Sequence, residues 1–241
     1  ALRGGRGAVK LPEMKAGTRS LKRILIVDDH PLMRKGVAHL IEEEPDLEVG
    51  GEADTAAQAL NLISARQPDL VLTEIALPDR SGLELIKDVR VFHPGVPVLV
   101  VSMHDERLYA ERVLRAGGRG YVPKQEDGRR LLQAIRKVLA GHIYVSERVS
   151  AKILEMFAGR RAEAADSPLE LLSDREFEVF HLIGEGHTSR QIAERLHLSV
   201  KTVEVHRANI KRKLKLPSGG EVVRYAIRWT ESRGADGTSP G

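Results

Sequence analysis

Five short apolar runs alternate with helical patterns between residues 22 and 140, and this alternation limits the possible folds more than any other feature. The runs read ILIVDD, LEVGGEA, LVLTE, PVLVVS and GYVP. Strands that alternate with helices of about ten to fifteen residues form parallel, doubly wound sheets. Runs this uniformly apolar are typical of strands covered on both faces. We therefore predict an α/β domain with a five-stranded parallel sheet over residues 21–142.

The helical segments between these runs have recognisable start signals. Thr55 is followed three residues later by Gln58, a capping-box pair that satisfies backbone donors at a helix start. The predicted helices cover about residues 30–43, 55–66, 106–116 and 127–140, and another begins near Ser81. In a doubly wound fold the functional groups gather at the carboxyl ends of the strands. The strand ends are therefore the place to look for chemistry.

The segments outside this domain differ in composition. Residues 1–20 are rich in Gly and basic side chains, and we expect a disordered arm there. Residues 143–169 are expected to form a helical linker, with the boundary in GRRAEAADSPLE. Residues 170–232 have helical spacing and no strand pattern, which predicts a small all-α domain. Residues 233–241 are expected to form a disordered tail.

Composition limits the class of protein and the compartment. The chain of 241 residues is 41% apolar, which is enough for a core in each of two domains. It contains no cysteine, so disulfides, thiolate metal sites and cysteine nucleophiles are excluded. No apolar run approaches the roughly 18 residues of a membrane helix. We expect a cytoplasmic protein with no membrane partner.

Charge is spread unevenly along the chain. Residues 21–140 contain 17 Lys and Arg against 19 Asp and Glu, whereas residues 171–233 contain 12 against 8. The second segment is therefore the candidate for contact with a polyanion. A surplus of this size is also common on ordinary solvated domains, so the motifs have to show whether this segment binds a polyanion.

Charged and polar residues follow four of the predicted strands. Asp28 and Asp29 close the first, Glu74 closes the third, Ser102 ends the fourth and Lys124 follows the fifth. Clustered carboxylates repel one another unless a cation neutralises them, and an all-oxygen cluster suits Mg²⁺. Ser102 and Lys124 could bind a phosphoryl group. Together these residues outline a site for a metal and an anion.

These motifs resemble the receiver domains of two-component response regulators over about residues 22–140. The segments IVDDH, PDLVLTEIALPDRSG, VLVVSMHD and RGYVPK carry the resemblance. It implies that Mg²⁺ is held by Asp28, Asp29, the phosphoacceptor position Glu74 and the backbone carbonyl of Ala76. It also implies that Ser102 and Lys124 bind the phosphoryl group and that Tyr121 is the switch aromatic.

Glu74 departs from the family pattern, which has Asp at the phosphoacceptor position. The additional methylene moves the carboxylate more than an ångström away from a site built for the shorter side chain. Three interpretations are open: an engineered or natural mimic of the phosphorylated state, a regulator that works without phosphate, or a Glu that accepts a phosphoryl group poorly. A mimic requires the carboxylate to reach Ser102 and Lys124, and otherwise the receiver rests in its unswitched form.

The segment from Leu172 to Leu216 contains closely spaced helix signals. Ser173 with Glu176 and Thr188 with Gln191 are capping boxes, and a third helix is predicted from Val200 to Leu214 after a short turn. Two helices joined by so tight a turn predict a helix-turn-helix. Apolar residues of the third helix share one face, and cationic and polar residues share the opposite one. The third helix is the predicted recognition helix.

This segment resembles the DNA-binding domain of the NarL/FixJ family, also called LuxR-type, over about residues 170–230. The run SVKTVEVHRANIKRKL carries the resemblance, with Glu204, Val205 and Ala208 nearest the base edges. Lys201, Thr202, Arg207, Lys211 and Arg212 complete the predicted DNA contacts, mostly to phosphates. Glu204 could accept a hydrogen bond from cytosine N4, or it could orient a neighbouring Arg.

A last helix is predicted near residues 220–230. Val222, Val223, Ala226 and Ile227 share one of its faces. In the family such a helix mediates dimerisation, but the same face could complete the core of so small a domain. A two-fold dimer predicts an inverted-repeat operator in double-stranded DNA.

The predicted function is that of a response regulator and transcriptional regulator whose receiver state controls dimerisation and operator binding. The family also implies a sensor histidine kinase and RNA polymerase as partners. The alternatives are a phosphorylation-independent regulator, a protein-interaction module and a Mg-dependent phosphohydrolase. The last would need a nucleophilic Asp and a substrate lid, and the sequence offers neither, so we expect no enzyme.

Overall fold

The computed structural model describes residues 21–157 and 168–235. The expected arm at 1–20, most of GRRAEAADSPLE and residues 236–241 lie outside the described residues. The strands are β1 Lys22–Val27, β2 Leu47–Ala53, β3 Leu70–Thr73, β4 Val98–Ser102 and β5 Gly120–Pro123. The helices are α1 Pro31–Glu42, α2 Ala56–Arg66, α3 Gly82–Phe92, α4 Glu106–Ala116, α5 Gly128–Leu139, α6 Glu147–Phe157, α7 Asp174–Gly184, α8 Ser189–Arg195, α9 Val200–Lys213 and α10 Gly219–Ala235, with a 3₁₀ helix at Pro168–Leu171.

The five strands form one parallel sheet in the order β2-β1-β3-β4-β5. The strand order reverses between β1 and β3, and ligand sites of doubly wound folds lie at this point. Val27 pairs with Thr73 there, so β1 and β3 end at the same edge. The predicted α/β architecture is confirmed.

The sheet is covered on both faces, as its apolar strands predict. Helices α1 and α5 cover one face, around buried side chains such as Ile24, Leu72 and Ile135. Helices α2, α3 and α4 cover the other, around Val71, Val100 and Tyr109. The second cluster continues through Phe177 into the all-α domain, so one hydrophobic core connects both parts of the chain.

Helix starts coincide with the predicted caps. At each of these helices an N-cap oxygen accepts a hydrogen bond from a backbone N–H of the first turn, which satisfies a donor that has no partner within the helix. The caps at the predicted helix starts are Thr55, Ser81, Ser173 and Thr188, and Ser199 caps the predicted recognition helix in the same way. Ser173 and Thr188 form complete capping boxes, whereas the predicted box at Thr55 is incomplete, because Gln58 Oε1 accepts from Asp54 N and not from Thr55 N.

The segment after α5 contains helix α6, within the range of the predicted helical linker, but it begins with a backbone contact that the sequence did not indicate. Tyr144 forms an isolated parallel bridge with Gly120, and its backbone exchanges hydrogen bonds with Arg119 and Tyr121. Helix α6 then packs on α4, where Ser146 N donates to Glu106 at 2.8 Å. The unpaired edge of β5 explains this, because it presents backbone groups that a following segment can satisfy.

The all-α domain contains α7–α10, with α8 and α9 joined by a short turn at 196–199. Helix α10 extends to Ala235, into the segment from 233 that we expected to be a tail. Once a helix is nucleated, each added residue contributes a further backbone hydrogen bond. Among the described helices, none is long and apolar enough to span a membrane.

Candidate switch site and DNA interface

Four predicted site residues meet at the carboxyl edge of the sheet: Asp28, Glu74, Ser102 and Lys124. Glu74 N donates to Val27 O at 2.9 Å, and Lys124 N donates to Ser102 O at 2.8 Å, so the strand ends are tied in pairs. Gly82 lets the start of α3 approach this edge, since a Cβ there would lie 2.1 Å from the Glu74 carbonyl oxygen. The backbone thus positions the acidic and basic side chains together.

The Glu74 carboxylate is buried and reaches both predicted phosphoryl ligands. Ser102 Oγ donates to Oε1, and Lys124 Nζ lies 2.7 Å from Oε2. The backbone N–H of Ile75 also donates to Oε1, at 2.6 Å. The longer side chain therefore satisfies the geometric condition that a phosphoryl mimic requires.

Lys124 joins two carboxylates. Its Nζ lies 2.5 Å from Asp28 Oδ2, in addition to its contact with Glu74, and its side chain is only 4% exposed. Burial alone would lower the pKa of Lys124, but the charges and hydrogen bonds of Glu74 and Asp28 raise it above its ordinary value. The ammonium therefore stays charged and holds the site together.

Asp28 and Asp29 form the acidic part of this edge, and Asp28 contacts Lys124. Together with His30 they offer ligand atoms that all lie within 4.8 Å of one another. His30 Nδ1 is 2.8 Å from Asp29 Oδ1, and His30 N donates to Asp28 Oδ1 at 2.9 Å. The carboxylate oxygens of this pair match the donor preference of Mg²⁺. Ala76 lies in the loop after Glu74, where its backbone pairs with Ser81.

His104 is a member of the site that sequence reasoning missed. Its Nδ1 lies 3.0 Å from Ser102 Oγ, and its backbone carbonyl accepts a 2.7 Å hydrogen bond from the Tyr121 hydroxyl. Tyr121 is fully buried, and burial raises its pKa, so the phenol stays neutral. The hydroxyl thus ties β5 to the loop between β4 and α4. The one sequence signal for His104 was its position in VSMHD, two residues after Ser102.

Helix α7 docks against α3 and α4 through a set of charged contacts. Arg112 Nη2 donates to Leu169 O at 2.8 Å, and its guanidinium lies 3.9 Å from the centre of the Phe177 ring. Arg112 Nη1 is 3.3 Å from Asp174 Oδ1, and Lys87 Nζ is 2.5 Å from Asp174 Oδ2. Arg112 and Lys87 therefore hold the start of α7 on the α/β domain.

A buried polar contact lies beside this interface. Ser81 Oγ donates to Glu178 Oε1 at 2.6 Å, and Arg175 Nη1 donates to Glu178 Oε2 at 2.6 Å. Burial raises the pKa of Glu178, while Arg175 and Ser81 oppose that shift. Arg175 also donates to Leu196 O at 2.5 Å, so the network extends from α3 to the end of α8.

Aromatic rings complete the contact between the domains. Tyr109 packs edge-on against His104, Phe177 and His181, with ring centres 4.9, 5.4 and 6.3 Å apart. Trp229 of α10 packs on Phe177 and His181. The switch-site residue His104 is thus connected through side-chain contacts to α7 and α10.

The predicted DNA face of α9 is open in this docked arrangement. Its residues Lys201, Glu204, Val205, Ala208, Lys211 and Arg212 are exposed, and Thr202 and Arg207 are partly exposed. Val203 and Ile210 lie on the buried face of the helix. The Thr202 hydroxyl is 2.8 Å from Ser199 Oγ, within the helix cap. The two faces separate as the sequence pattern indicates.

The predicted dimerisation face divides into two parts. Val222 and Ala226 are buried in the core of their own domain, whereas Val223 and Ile227 are half-buried. Helix α10 packs closely on α7, since a Cβ on Gly184 would lie 2.7 Å from the Ala226 carbonyl oxygen. The alternative that this face completes the domain core therefore applies to Val222 and Ala226.

Two family models match this chain. The response regulator receiver domain matches residues 24–136, and the luxR family of bacterial regulatory proteins matches residues 170–226. The oxygen regulatory protein NreC of Staphylococcus carnosus is 33% identical over 86% of this chain and 97% of that protein. The transcriptional regulatory protein DegU of Brevibacillus brevis is 31% identical over 88% of this chain and 96% of its own length.

Solved structures give the same result. A LuxR-family response regulator from Aurantimonas is 35% identical, with a TM-score of 0.54 over 58% of this chain and 99% of that one. RcsB of Salmonella enterica serovar Typhimurium, bound to the rprA promoter, is 25% identical, with a TM-score of 0.57 over 86% of this chain and 98% of that one. The chain therefore belongs to the NarL/FixJ family of two-component response regulators, with a receiver domain followed by a LuxR-type DNA-binding domain.

Proposed function

We propose that this response regulator binds double-stranded operator DNA without phosphorylation, because the Glu74 carboxylate takes the place of the phosphoryl group. The observation that carries the proposal is the contact of Glu74 with both Ser102 and Lys124. A phosphoryl group on a receiver would be bound by the residues at these two positions. A carboxylate that belongs to the chain offers acceptor oxygens to both ligands without any phosphoryl donor.

The contacts around Glu74 suggest how its charge reaches the DNA-binding domain. Ser102 is drawn to the carboxylate, and His104 and Tyr121 fix the following loop against β5. Helix α4 starts at the end of that loop, and its Tyr109 and Arg112 contact α7. A switch of this kind requires a packed element with two arrangements. We propose α4 as that element.

Mg²⁺ fits the neighbouring carboxylates. We propose that Asp28, Asp29 and the backbone carbonyl of Ala76 would hold it, with Asp28 exchanging part of its contacts with Lys124 and His30 for the ion. Glu74 contacts Ser102, Lys124 and Ile75 N and lies outside the cluster of ligand atoms that Asp28 and Asp29 form with His30. The ion would supply positive charge that relieves the repulsion between the acidic side chains. In this chain Lys124 already supplies part of that charge.

The exposed face of α9 supports DNA binding by this form of the protein. The cationic side chains on that face suit phosphates, and the shorter ones leave room for base edges. RcsB, a relative of known structure, binds promoter DNA in the presence of the phosphomimetic BeF3−. We propose that the protein binds an inverted repeat as a homodimer. The half-buried Val223 and Ile227 of α10 would lie at the dimer interface. A sensor histidine kinase and RNA polymerase remain predicted partners.

The burial of Glu74 argues against the phosphohydrolase alternative. The carboxylate and Lys124 are each 4% exposed and bound to one another, which leaves the carboxylate no open path to a substrate. A nucleophilic carboxylate has to reach the reacting atom directly. The cluster is therefore better suited to holding a conformation than to attacking a substrate.

Selection of binding sites from a random duplex pool tests this function directly. The full-length protein is used without any phosphoryl donor and washed at two salt concentrations. We expect an inverted repeat whose affinity falls with salt, because phosphate contacts release counterions. The Lys201→Ala/Arg212→Ala variant should bind the selected site more weakly, with a smaller salt slope. Recovery of sequence-blind binding alone, or of no binding, would contradict the proposal.

A further inference from the structure

We infer that Glu204 reads a cytosine in each operator half-site and that Ser189 positions its carboxylate for that contact. The inference rests on the proposed function, in which α9 is the recognition helix. It names the base that the helix selects and a residue of α8 that sets the selection.

Glu204 has the location of a base-reading residue. It lies in the first half of α9, and in a helix-turn-helix this half of the recognition helix contacts base edges. Its side chain is 57% exposed, and the neighbouring Val205 and Ala208 are exposed and short. Glu204 is the longest side chain among the three residues that we place nearest the bases.

The charge of Glu204 limits what it can contact. It is the only acidic residue of α9, and a carboxylate that faces phosphates is repelled by them. It is tolerated in a groove only if it meets a hydrogen-bond donor, because an ionised carboxylate can only accept. In the major groove the exocyclic amines of cytosine and adenine are the donors, and the adenine amine lies beside the acceptor N7. Cytosine is therefore the base that fits Glu204.

Ser189 holds the carboxylate in place. Its hydroxyl donates a 2.5 Å hydrogen bond to Glu204 Oε1 from the first turn of α8. The preceding residue, Thr188, forms a capping box with Gln191, so this turn is well anchored. Each carboxylate oxygen has two lone pairs, so Oε2, which lies 3.9 Å from Arg207 Nε, can still accept a base donor. Positioning in the free protein lowers the entropic cost of the contact.

The geometry favours base reading over the other role considered for Glu204. Arg207 Nε lies 3.9 Å from Oε2, which is beyond hydrogen-bond distance. The Arg207 side chain is only 23% exposed. Glu204 therefore makes its hydrogen bond with Ser189 and not with the arginine that it would have to orient.

Base preference measured for four variants tests the inference. Site selection with the full-length protein is repeated for Glu204→Gln, Glu204→Ala, Ser189→Ala and Ser189→Thr. Wild type should select cytosine at one position of each half-site. Glu204→Gln should shift that position to adenine, which an amide recognises through N6 and N7, and Glu204→Ala should remove the preference. Ser189→Ala should weaken the preference about fivefold, and Ser189→Thr, which keeps the hydroxyl, should restore it.

The outcomes separate this inference from the proposed function. If wild type selects no site, the proposed function fails and the inference fails with it. If wild type selects a site and both Glu204 variants select the same bases, Glu204 is not a reader. If Glu204→Ala weakens all sequences equally, Glu204 acts through Arg207 instead. If the Glu204 variants change the base preference but Ser189→Ala does not, Ser189 does not position the carboxylate.

Discussion

Asp29 of the receiver and His197 of the DNA-binding domain are in direct contact, with Oδ2 and Nε2 3.0 Å apart. His197 lies in the turn between α8 and α9 and has a positive φ of 51°. The cluster of Asp28, Asp29 and His30 therefore shares the Asp29 carboxylate with the helix-turn-helix. A cation bound by Asp29 has to compete with this contact.

The first prediction concerns Mg²⁺. Replacing His197 by Ala frees one oxygen of Asp29, so Mg²⁺ should bind about 2- to 10-fold more tightly, as expected for the loss of one competing hydrogen bond. Isothermal titration calorimetry measures the change. His39→Ala is the matched control, because His39 is exposed and contacts only Glu43, the residue that follows α1, among the described ion pairs. Equal affinity in His197→Ala and wild type would show that the contact does not compete with the metal.

The second prediction concerns the docking of α7. Arg112→Ala removes the hydrogen bond to Leu169 and the contact with the Phe177 ring, so docking should weaken by about 2 kcal/mol. Trp229, the only tryptophan of the chain, packs on Phe177 and should report the loss as red-shifted emission.

Arg115→Ala is the control for this measurement. Arg115 lies on the same helix, is 56% exposed and pairs with Glu111. An exposed pair of this kind contributes about 0.5 kcal/mol or less, so the emission of Arg115→Ala should match that of wild type. Similar emission from both variants would mean that Arg112 does not hold the domains together.

The third prediction concerns pH. Burial lowers the pKa of His181 below its ordinary value of 6.5, although Glu185 and Asp105 oppose the shift and His104 and His187 add to it. The unfolded chain therefore binds more protons than the folded one between the lowered pKa and 6.5. The free energy of unfolding should increase as pH rises through this window and should be lost on acidification.

Thermal unfolding midpoints between about pH 5 and 7.5 measure this dependence. His181→Phe keeps a ring against Tyr109 and Trp229 but cannot be protonated, so its midpoint should depend less on pH. His206, whose pKa is also lowered by burial, should leave a residual slope. An unchanged slope in His181→Phe would assign the effect to other groups.

Much of the fold follows from local sequence patterns. The uniformly apolar strands predicted a sheet covered on both faces, and side-chain caps such as Thr55 and Thr188 marked helix starts. The order of the strand-end residues was also enough to bring Asp28, Glu74, Ser102 and Lys124 together. These features depend on neighbours in the chain or on the general topology of parallel sheets.

Contacts between distant residues could not be read from the sequence. Arg112 and Asp174 are 62 residues apart, and Asp29 and His197 are 168 apart. Nothing in the local pattern of either residue names its partner. The Tyr144 bridge was missed for a related reason, since one pair of backbone groups on a sheet edge leaves no periodic signal.

The sequence likewise could not show which atoms the Glu74 carboxylate contacts. The length of the side chain showed only that Glu extends further than Asp. Whether that extension ends against Ser102 and Lys124 or is displaced from them depends on the packing of the whole edge.

The central claim is that the Glu74 carboxylate keeps the receiver switched without phosphorylation. We would measure the affinity of the full-length protein for its selected operator, without a phosphoryl donor, for wild type, Glu74→Ala and Glu74→Asp. Glu74→Asp is the control, because it restores the family's phosphoacceptor and should gain affinity only when a small phosphoryl donor is added. We expect wild type to bind and Glu74→Ala to bind about tenfold more weakly, since Ser102 and Lys124 lose their shared ligand. Equal operator affinity of untreated wild type and Glu74→Ala would contradict the account.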